Sequence, residues 1–287
     1  MESSDPAQRH TAADSSPPLP PATLEGWYVL HQLFRIDWPL LKALERGRTS
    51  RILADFGGWL ESRAPGGEDG WSGAYEMVGA GADLLLVHFR PDLDGLTRAS
   101  REVAWSDLAE LLDPDHEYVS VVELGMYGLT TRVTDEVDPA DQEAYDAALA
   151  EALDAQRELE YVKRRLYPVQ PEDMPYVCYY PMDKRRSPGQ NWYALSLERR
   201  AELMHAHGSV GRRYAGRIQQ VISGSVGLAD WEWAVTLWSA DPLCFKSIIT
   251  EMRYDAASAE YAEFGSFYVG KRLPADRLDT LLPAEVR

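Results

Sequence analysis

The chain has 287 residues, of which 45% are hydrophobic and 10% aromatic, so it can bury a sizeable core in one large or two ordinary domains. Its formal charge of −17 argues against nucleic acid and anionic membranes, because both need a basic surface on the protein. An anionic ligand would therefore have to meet a local cluster of cations.

The first 22 residues are rich in Ser, Pro, Ala and Asp and contain few large apolar side chains. A segment of this composition cannot offset the entropy of its own ordering by burying surface. Residues 1–22 are therefore predicted to be a disordered extension outside the fold.

The first half of the chain predicts the element order β-α-β-β-α-β. Aromatic and β-branched residues favour a strand over 25–34, and apolar residues at three- and four-residue spacings favour a helix over 39–61. A Gly-Ala-Asp sequence separates the next two apolar segments and predicts a hairpin turn. A second helix over 94–112 and a strand from Glu117 complete the unit.

The second half repeats this order. Apolar alternation predicts strands and three- to four-residue spacing predicts helices, as in the first half. The strands are predicted near Tyr176 and at 218–225, 231–240 and 266–272, and the helices at 196–207 and 241–262.

An acidic connector over 138–165 is predicted to form one long helix between the halves. The repeated order predicts an α+β fold of two ferredoxin-like units in tandem with antiparallel sheets, of the dimeric α/β-barrel type. The N-terminal unit with its connector would span 23–165 and the C-terminal unit 166–287.

The two cysteines and the hydropathy pattern indicate what kind of thiol the chain contains and where the protein is located. Cys178 and Cys244 stand in apolar segments without C-x-x-C spacing, which favours buried thiols over a metal knuckle or a disulfide framework. No apolar run approaches the roughly 18 residues that span a bilayer, and the N-terminus does not resemble a signal peptide. The sequence therefore predicts a cytoplasmic protein.

None of the six histidines forms the i, i+4 pair of a helical zinc site, so a single metal-bound histidine, as in heme proteins, is the alternative. In LSLERRAELMHAHG, Ser196 is a good N-cap and Gly208 a good C-terminal stop, which places His205 and His207 in the last helical turn. Both lie about equally far from the apolar stripe, so spacing leaves the choice open. A purely electrostatic role at the negative helix end also remains open.

Two polar groups are predicted to face inward from strands. If the strand near Tyr176 stays extended as far as Lys184, that lysine shares the face of Tyr180. In RIQQVIS, Gln220 shares the parity of Ile218 and Ile222, and a buried amide needs a partner such as a ligand carboxylate or water. A core tyrosine, a solvated basic turn and an amide bonded to backbone are the structural alternatives.

Several long segments, in the right order, resemble the coproheme decarboxylases, a branch of the chlorite dismutase superfamily. The resemblance covers most of residues 155–273 and implies two ferredoxin-like units with heme in the C-terminal one. Its carriers are RRLYP (164–168), YYPMDKRR (179–186), NWY (191–193), ELMHAHGSVGRRYAG (202–216), GSVGLADWEWAVTL (224–237) and EMRYDAASAEYAEFGSFYVG (251–270).

The resemblance implies roles for individual residues. The family's proximal iron ligand precedes the glycine of this helix and corresponds to His207 rather than His205. Its redox tyrosine corresponds to Tyr180, its nearby lysine to Lys184 and a pocket tryptophan to Trp192. The propionate-binding positions correspond to Arg165, Gln220, Arg253 and Ser258.

Within this set, Arg165 is the residue for which the chain offers an alternative. The loop between Arg165 and Tyr180 is about one residue longer than in the family, so Arg164 can take its place. Chlorite dismutases carry a distal arginine where this chain has Gln220, so poor handling of chlorite is expected.

The resemblance further implies that iron coproporphyrin III (coproheme) is both substrate and redox cofactor. Peroxide would oxidise it, Tyr180 would become a radical, and two propionates would lose carbon dioxide and become vinyl groups, giving heme b. The alternative from another class is a heme-binding or heme-delivery protein without turnover. The family also implies a homopentamer and transient contact with coproporphyrin ferrochelatase.

Overall fold

The computed structural model describes residues 19–65, 67–79 and 81–282. Most of the predicted extension, residues 1–18, therefore lies outside the described residues. Residues 19–22 are held against the fold: the backbone N–H of Met126 donates to Ala22 O (2.8 Å), and the N–H of Ala22 donates to Thr130 Oγ1 (2.9 Å). The predicted boundary at residue 22 thus leaves outside the fold a few residues that contact it.

The first half follows the predicted order with one correction. The single helix predicted over 39–61 is two helices, because Leu44 adopts extended backbone and Glu45 begins a new helix. A 3₁₀ turn over Asp107–Leu111 ends the second predicted helix region. The elements are β1 (Thr23–Ile36), α1 (Trp38–Ala43), α2 (Arg46–Ser62), β2 (Trp71–Met77), β3 (Leu84–Arg90), α3 (Leu93–Trp105) and β4 (Leu112–Gly125).

The connector is not one long helix, so that prediction is wrong. Its acidic side chains favour new helix starts: the Asp141 carboxylate accepts the N–H of Ala144 and begins the second helix. Extended backbone at Leu159 separates the second helix from the third. The first helix of this region, α4 (Tyr127–Glu136), precedes the connector, and the second and third, α5 (Gln142–Arg157) and α6 (Glu160–Leu166), lie in it.

The second half contains the predicted strands, but its helices differ in extent. The helix that carries the two histidines continues through Gly208, because that glycine keeps helical backbone; the glycine with positive φ here is Gly216 (78°). The helix predicted over 241–262 is two, since Asp255 caps a separate short helix. The elements are β5 (Tyr176–Lys184), α7 (Leu197–Arg212), β6 (Ile218–Gly224), β7 (Trp233–Ser239), α8 (Leu243–Met252), α9 (Ala256–Ala259), β8 (Ala262–Phe264) and β9 (Tyr268–Arg272).

The strands form one antiparallel sheet in the order β7-β6-β4-β1-β3-β2-β9-β5-β8, and β5 also pairs with β7. The ring of eight strands therefore closes into a barrel, with β8 extending one end of β5. Within each half the strand order is that of a ferredoxin-like unit, β4-β1-β3-β2 and β9-β5-β7-β6. The α+β prediction is confirmed, and the two halves share a single sheet.

The closed sheet has two apolar faces. Side chains of alternating parity from both halves fill the interior, where the Trp238 indole N–H donates to the Tyr75 hydroxyl (3.1 Å). The outer face of the first half packs under α2 and α3. The outer face of the second half packs under α8 and the end of α7, in a cluster that contains Cys178, Tyr180 and Phe245. No helix in the described ranges is long and apolar enough to cross a membrane.

Candidate functional site

Strand β5 carries the two predicted site residues on its outer face. Tyr180 pairs with Val235 of β7 and lies in the same apolar cluster as Cys178 and Met182, as its parity predicts. The strand remains extended to Lys184, so that lysine shares this face. The sheet therefore brings a buried phenol and a buried amine to one side of the second half.

Tyr180 is 6% exposed and lies among aromatic rings. Its ring stacks on Phe267 at 4.5 Å between centroids and lies 5.9 Å from Phe264, which the Arg253 guanidinium covers at 4.3 Å. Burial holds the pKa of the Tyr180 hydroxyl well above its ordinary value, and Arg253 opposes this only in part. The phenol is therefore protonated at neutral pH.

Lys184 is 8% exposed, and its amine lies 4.1 Å from the centre of the Trp192 ring. The amine donates a hydrogen bond to Ala257 O (2.9 Å). Burial lowers the pKa of Lys184 to about 8, against the attraction of Asp255 and Glu232. Within the described ranges no carboxylate oxygen lies within 4 Å of the amine, so this cation can accept an anionic ligand.

The histidines of α7 differ in their surroundings. The Ser196 side chain caps the helix by accepting the N–H of Arg199 (3.3 Å), as the sequence predicts. His207 is half-buried and its Nδ1 lies 3.0 Å from Asp255 Oδ2, whereas His205 is exposed. In a neutral imidazole whose Nδ1–H donates to a carboxylate, Nε2 carries the lone pair that binds a metal.

Asp255 is a site residue that the sequence reasoning missed. Burial alone would raise its pKa, but hydrogen bonds from His207, Ser258 and the backbone of Ala257 hold the pKa of this carboxyl below its usual value. It is therefore an anion at neutral pH and orients the imidazole. The signal in the sequence is its place before Ala256 as the N-cap of α9, which does not by itself reveal a partner 48 residues away.

The predicted propionate-binding residues do not all come together. Ser258 is buried, with Oγ 3.4 Å from His207 Nδ1, and Gln220 lies half-buried beside Gly211 of α7. Arg253 is exposed above Phe264. Arg165 lies in the exposed last turn of α6, and within the described ranges no hydrogen bond or ion pair joins it, or Arg164, to this group.

The donor set fits an iron porphyrin better than a metal held by protein alone. Among the described residues no group of three or more His, Cys, Asp or Glu side chains can hold an ion. One imidazole oriented through Nδ1 by a carboxylate, together with several cations and polar donors, matches a ligand that brings four nitrogens and carboxylates of its own. Two surface clefts of about 910 and 510 Å³ run along α3 and contain none of these residues.

A closed antiparallel barrel of two ferredoxin-like halves, whose second half contains a histidine bonded to a carboxylate together with a buried tyrosine and a buried lysine, defines the class as an α+β protein of the dimeric α/β-barrel type. The chain belongs to the chlorite dismutase family, whose sequence model matches residues 49–273.

Relatives with established names are similar over nearly their whole length. The coproheme decarboxylase of Staphylococcus saprophyticus is 41% identical over 266 residues, which are 92% of this chain and 98% of that protein. The enzyme of the same name from Staphylococcus carnosus is 40% identical, over 90% and 96%. The structure of a heme-binding protein from Thermus thermophilus is 39% identical, with a TM-score of 0.76 over 92% and 97% of the two chains.

Proposed function

We propose that this chain is a coproheme decarboxylase that converts two propionates of iron coproporphyrin III into vinyl groups with peroxide as the oxidant. The observation that carries the proposal is the buried Tyr180–Lys184 pair on the face of β5 that packs beneath the helices near His207. The two staphylococcal enzymes, about 40% identical over nearly their full length, support the same activity.

His207 would hold the iron porphyrin through Nε2, and Asp255 orients the imidazole by accepting a hydrogen bond from its Nδ1–H. When bound, the iron porphyrin supplies the two-electron chemistry with peroxide. Each propionate consumes one peroxide and one proton and yields a vinyl group, carbon dioxide and two waters, which balances atoms and charge.

Tyr180 is the group that acts on the propionate. Its phenol is buried and protonated, so it can lose a hydrogen atom and then take one from the propionate β-carbon. Loss of carbon dioxide after removal of a second electron leaves the vinyl double bond. The apolar and aromatic surroundings exclude water, so that the phenol and the propionate can meet in direct contact.

Lys184 holds the reacting carboxylate of the ligand by its charge and can supply the proton that the reaction consumes. Its pKa of about 8 keeps most of the amine charged at neutral pH while making proton release easier than from an ordinary lysine. Trp192 holds the amine from one side and fixes its position in the pocket. A charge fixed in a site of low dielectric acts more strongly on a carboxylate than one in water.

The remaining propionates need donors, which an acidic protein must supply locally. We assign this role to Gln220, Arg253 and Ser258, with Arg165 or Arg164 completing the set.

The wider setting follows the same proposal. The product is heme b, the protein works in the cytoplasm as a homopentamer, and it takes its substrate from coproporphyrin ferrochelatase in a transient contact. Residues 23–165 and 166–287 form the two units, with the ligand in the second.

The test is chromatography with mass detection after the purified protein is mixed with iron coproporphyrin III and peroxide. Loss of two carboxyl groups with formation of protoheme is expected. Unchanged coproheme bound through a histidine would instead identify a heme-delivery protein, and rapid oxygen release from chlorite would identify a chlorite dismutase.

A further inference from the structure

Within the described ranges, no hydrogen bond orients the Tyr180 ring. Among the described residues, no donor or acceptor is bonded to its hydroxyl, although the side chain is only 6% exposed. The orientation of the ring therefore depends on packing, and its two aromatic contacts are Phe267 and Phe264. Phe267 is the closer, at 4.5 Å with 30° between the planes.

The turn between β8 and β9 fixes Phe267 in this place. Gly265 donates its N–H to Pro181 O (2.9 Å), the residue that follows Tyr180 in β5. A Cβ at Gly265 would lie 2.7 Å from Pro181 Cγ and 3.1 Å from the Trp231 ring, so the turn can lie this close only with glycine. The strand that carries Tyr180 and the turn that carries Phe267 are thus held against each other.

We propose that Phe267 is a positioning residue that holds the Tyr180 ring in the orientation from which its oxygen reaches the propionate, an inference that rests on the proposed decarboxylation. A hydrogen-atom transfer needs the donor and acceptor atoms in contact, and a misplacement of about 1 Å can cost on the order of a hundredfold in rate. A phenylalanine orients the phenol without bonding to its oxygen, so the phenol keeps its proton for the reaction.

The first test separates binding from rate in Phe267→Leu. Because Phe267 has no polar side-chain atom for the propionates, the Kd for iron coproporphyrin III should change by less than about threefold, under about 1 kcal/mol. The rate of vinyl formation should fall by about tenfold or more, equivalent to about 1.4 kcal/mol of barrier. Phe267→Tyr, which restores the aromatic stack, should recover most of the rate.

The matched control is Phe245→Leu, the same substitution in the same apolar cluster but on α8. It should leave the rate near that of the unchanged protein. A rate for Phe267→Leu within about twofold of the unchanged protein, under about 0.5 kcal/mol of barrier, overturns the proposal. So does an equal loss in both variants, since that would reflect general loosening of the cluster.

A second readout uses the protein without porphyrin and therefore does not depend on decarboxylation. With 3-fluorotyrosine at position 180 alone, a ring held in its stack should give separate ¹⁹F signals for its two flip states. Phe267→Leu should merge them into one averaged line. If the ¹⁹F signals of Phe267→Leu are the same as those of the wild-type sequence, the positioning role is wrong. If the wild-type sequence forms no vinyl products, the proposed function is wrong instead.

Discussion

Replacing Lys184 with methionine should stabilise the protein at neutral pH and lose that advantage in alkali. The pKa of Lys184 falls from 10.5 to about 8, mainly because the amine is buried. At about 1.4 kcal/mol per pH unit, keeping the charge in the folded chain costs about 3 kcal/mol. Methionine is of similar length and carries no charge, so it removes this cost.

The net gain at neutral pH is smaller than the full cost. The variant also loses the hydrogen bond to Ala257 O and the contact with the Trp192 ring, each about 1 kcal/mol. Lys184→Met should therefore be about 1 kcal/mol more stable than the unchanged protein at pH 6.5.

The sign of the pH dependence follows from proton binding. Between about pH 8 and 10.5 the unfolded chain keeps a proton that folded Lys184 has released, so the stability of the unchanged protein rises with pH in that window. Below pH 8 the folded chain bears the full free-energy cost of the buried charge on Lys184. The advantage of Lys184→Met should thus shrink by about 3 kcal/mol between pH 6.5 and 10.5 and change sign.

Urea denaturation of the protein without porphyrin, at pH 6.5 and 10, measures this difference. Lys271→Met, at an exposed position of β9, is the control and should show the same small effect at both pH values. If the stability difference between Lys184→Met and the unchanged protein is the same at both pH values, the buried cation does not titrate as argued.

Four other substitutions test the site. His207→Ala should lose the histidine-ligated ferric coproheme spectrum and His205→Ala should keep it. The opposite result would assign the iron ligand to His205. Asp255→Asn should weaken coproheme binding by about tenfold or more, because it removes the charge that orients the imidazole, and a titration with unchanged affinity would contradict this. Tyr180→Phe should bind coproheme but form no vinyl groups, and protoheme at a normal rate would exclude its radical role.

Strand parity explains which parts of the site could be predicted from the sequence. The two-residue period of β5 placed Tyr180 and Lys184 on one face, because that strand stays extended to its last residue. The helical period could not separate His205 from His207. In the structure the distinction comes from Asp255, which is remote in the sequence and contacts His207 from the N-cap of α9.

The closure of the sheet into a barrel could not be predicted from local sequence patterns either. Each half predicts its own strand order, but the barrel depends on β4 pairing with β6 at Val121–Gly224 and β2 with β9 at Tyr75–Arg272. These partners are about a hundred residues or more apart, and hydrophobic alternation carries no information about which distant edge a strand will meet. The same limit applies to Arg165, whose place depends on how the broken connector packs.

Tyr179 and Tyr180 are neighbours in sequence, yet parity gives them opposite environments. Tyr179 points into the barrel, where it stacks on His31 at 4.3 Å, and within the described ranges its buried hydroxyl has no hydrogen-bond partner. Burial holds its pKa well above the ordinary value. On the opposite face from the proposed ligand, it can take no part in hydrogen transfer from a propionate.

Tyr179→Phe should therefore leave decarboxylation unchanged and raise the free energy of unfolding by about 1 kcal/mol, because it removes a buried hydroxyl that makes no bond. Denaturation and product analysis are carried out on both Tyr179→Phe and Tyr180→Phe. The two variants are a matched pair, because they carry the same change at adjacent positions of one strand. A loss of stability would mean that the hydroxyl is bonded by a water, shared with Nδ1 of His31, which also has no partner among the described residues. A loss of vinyl formation would show that the radical crosses the sheet, and Tyr180 could then no longer be assigned the reaction alone.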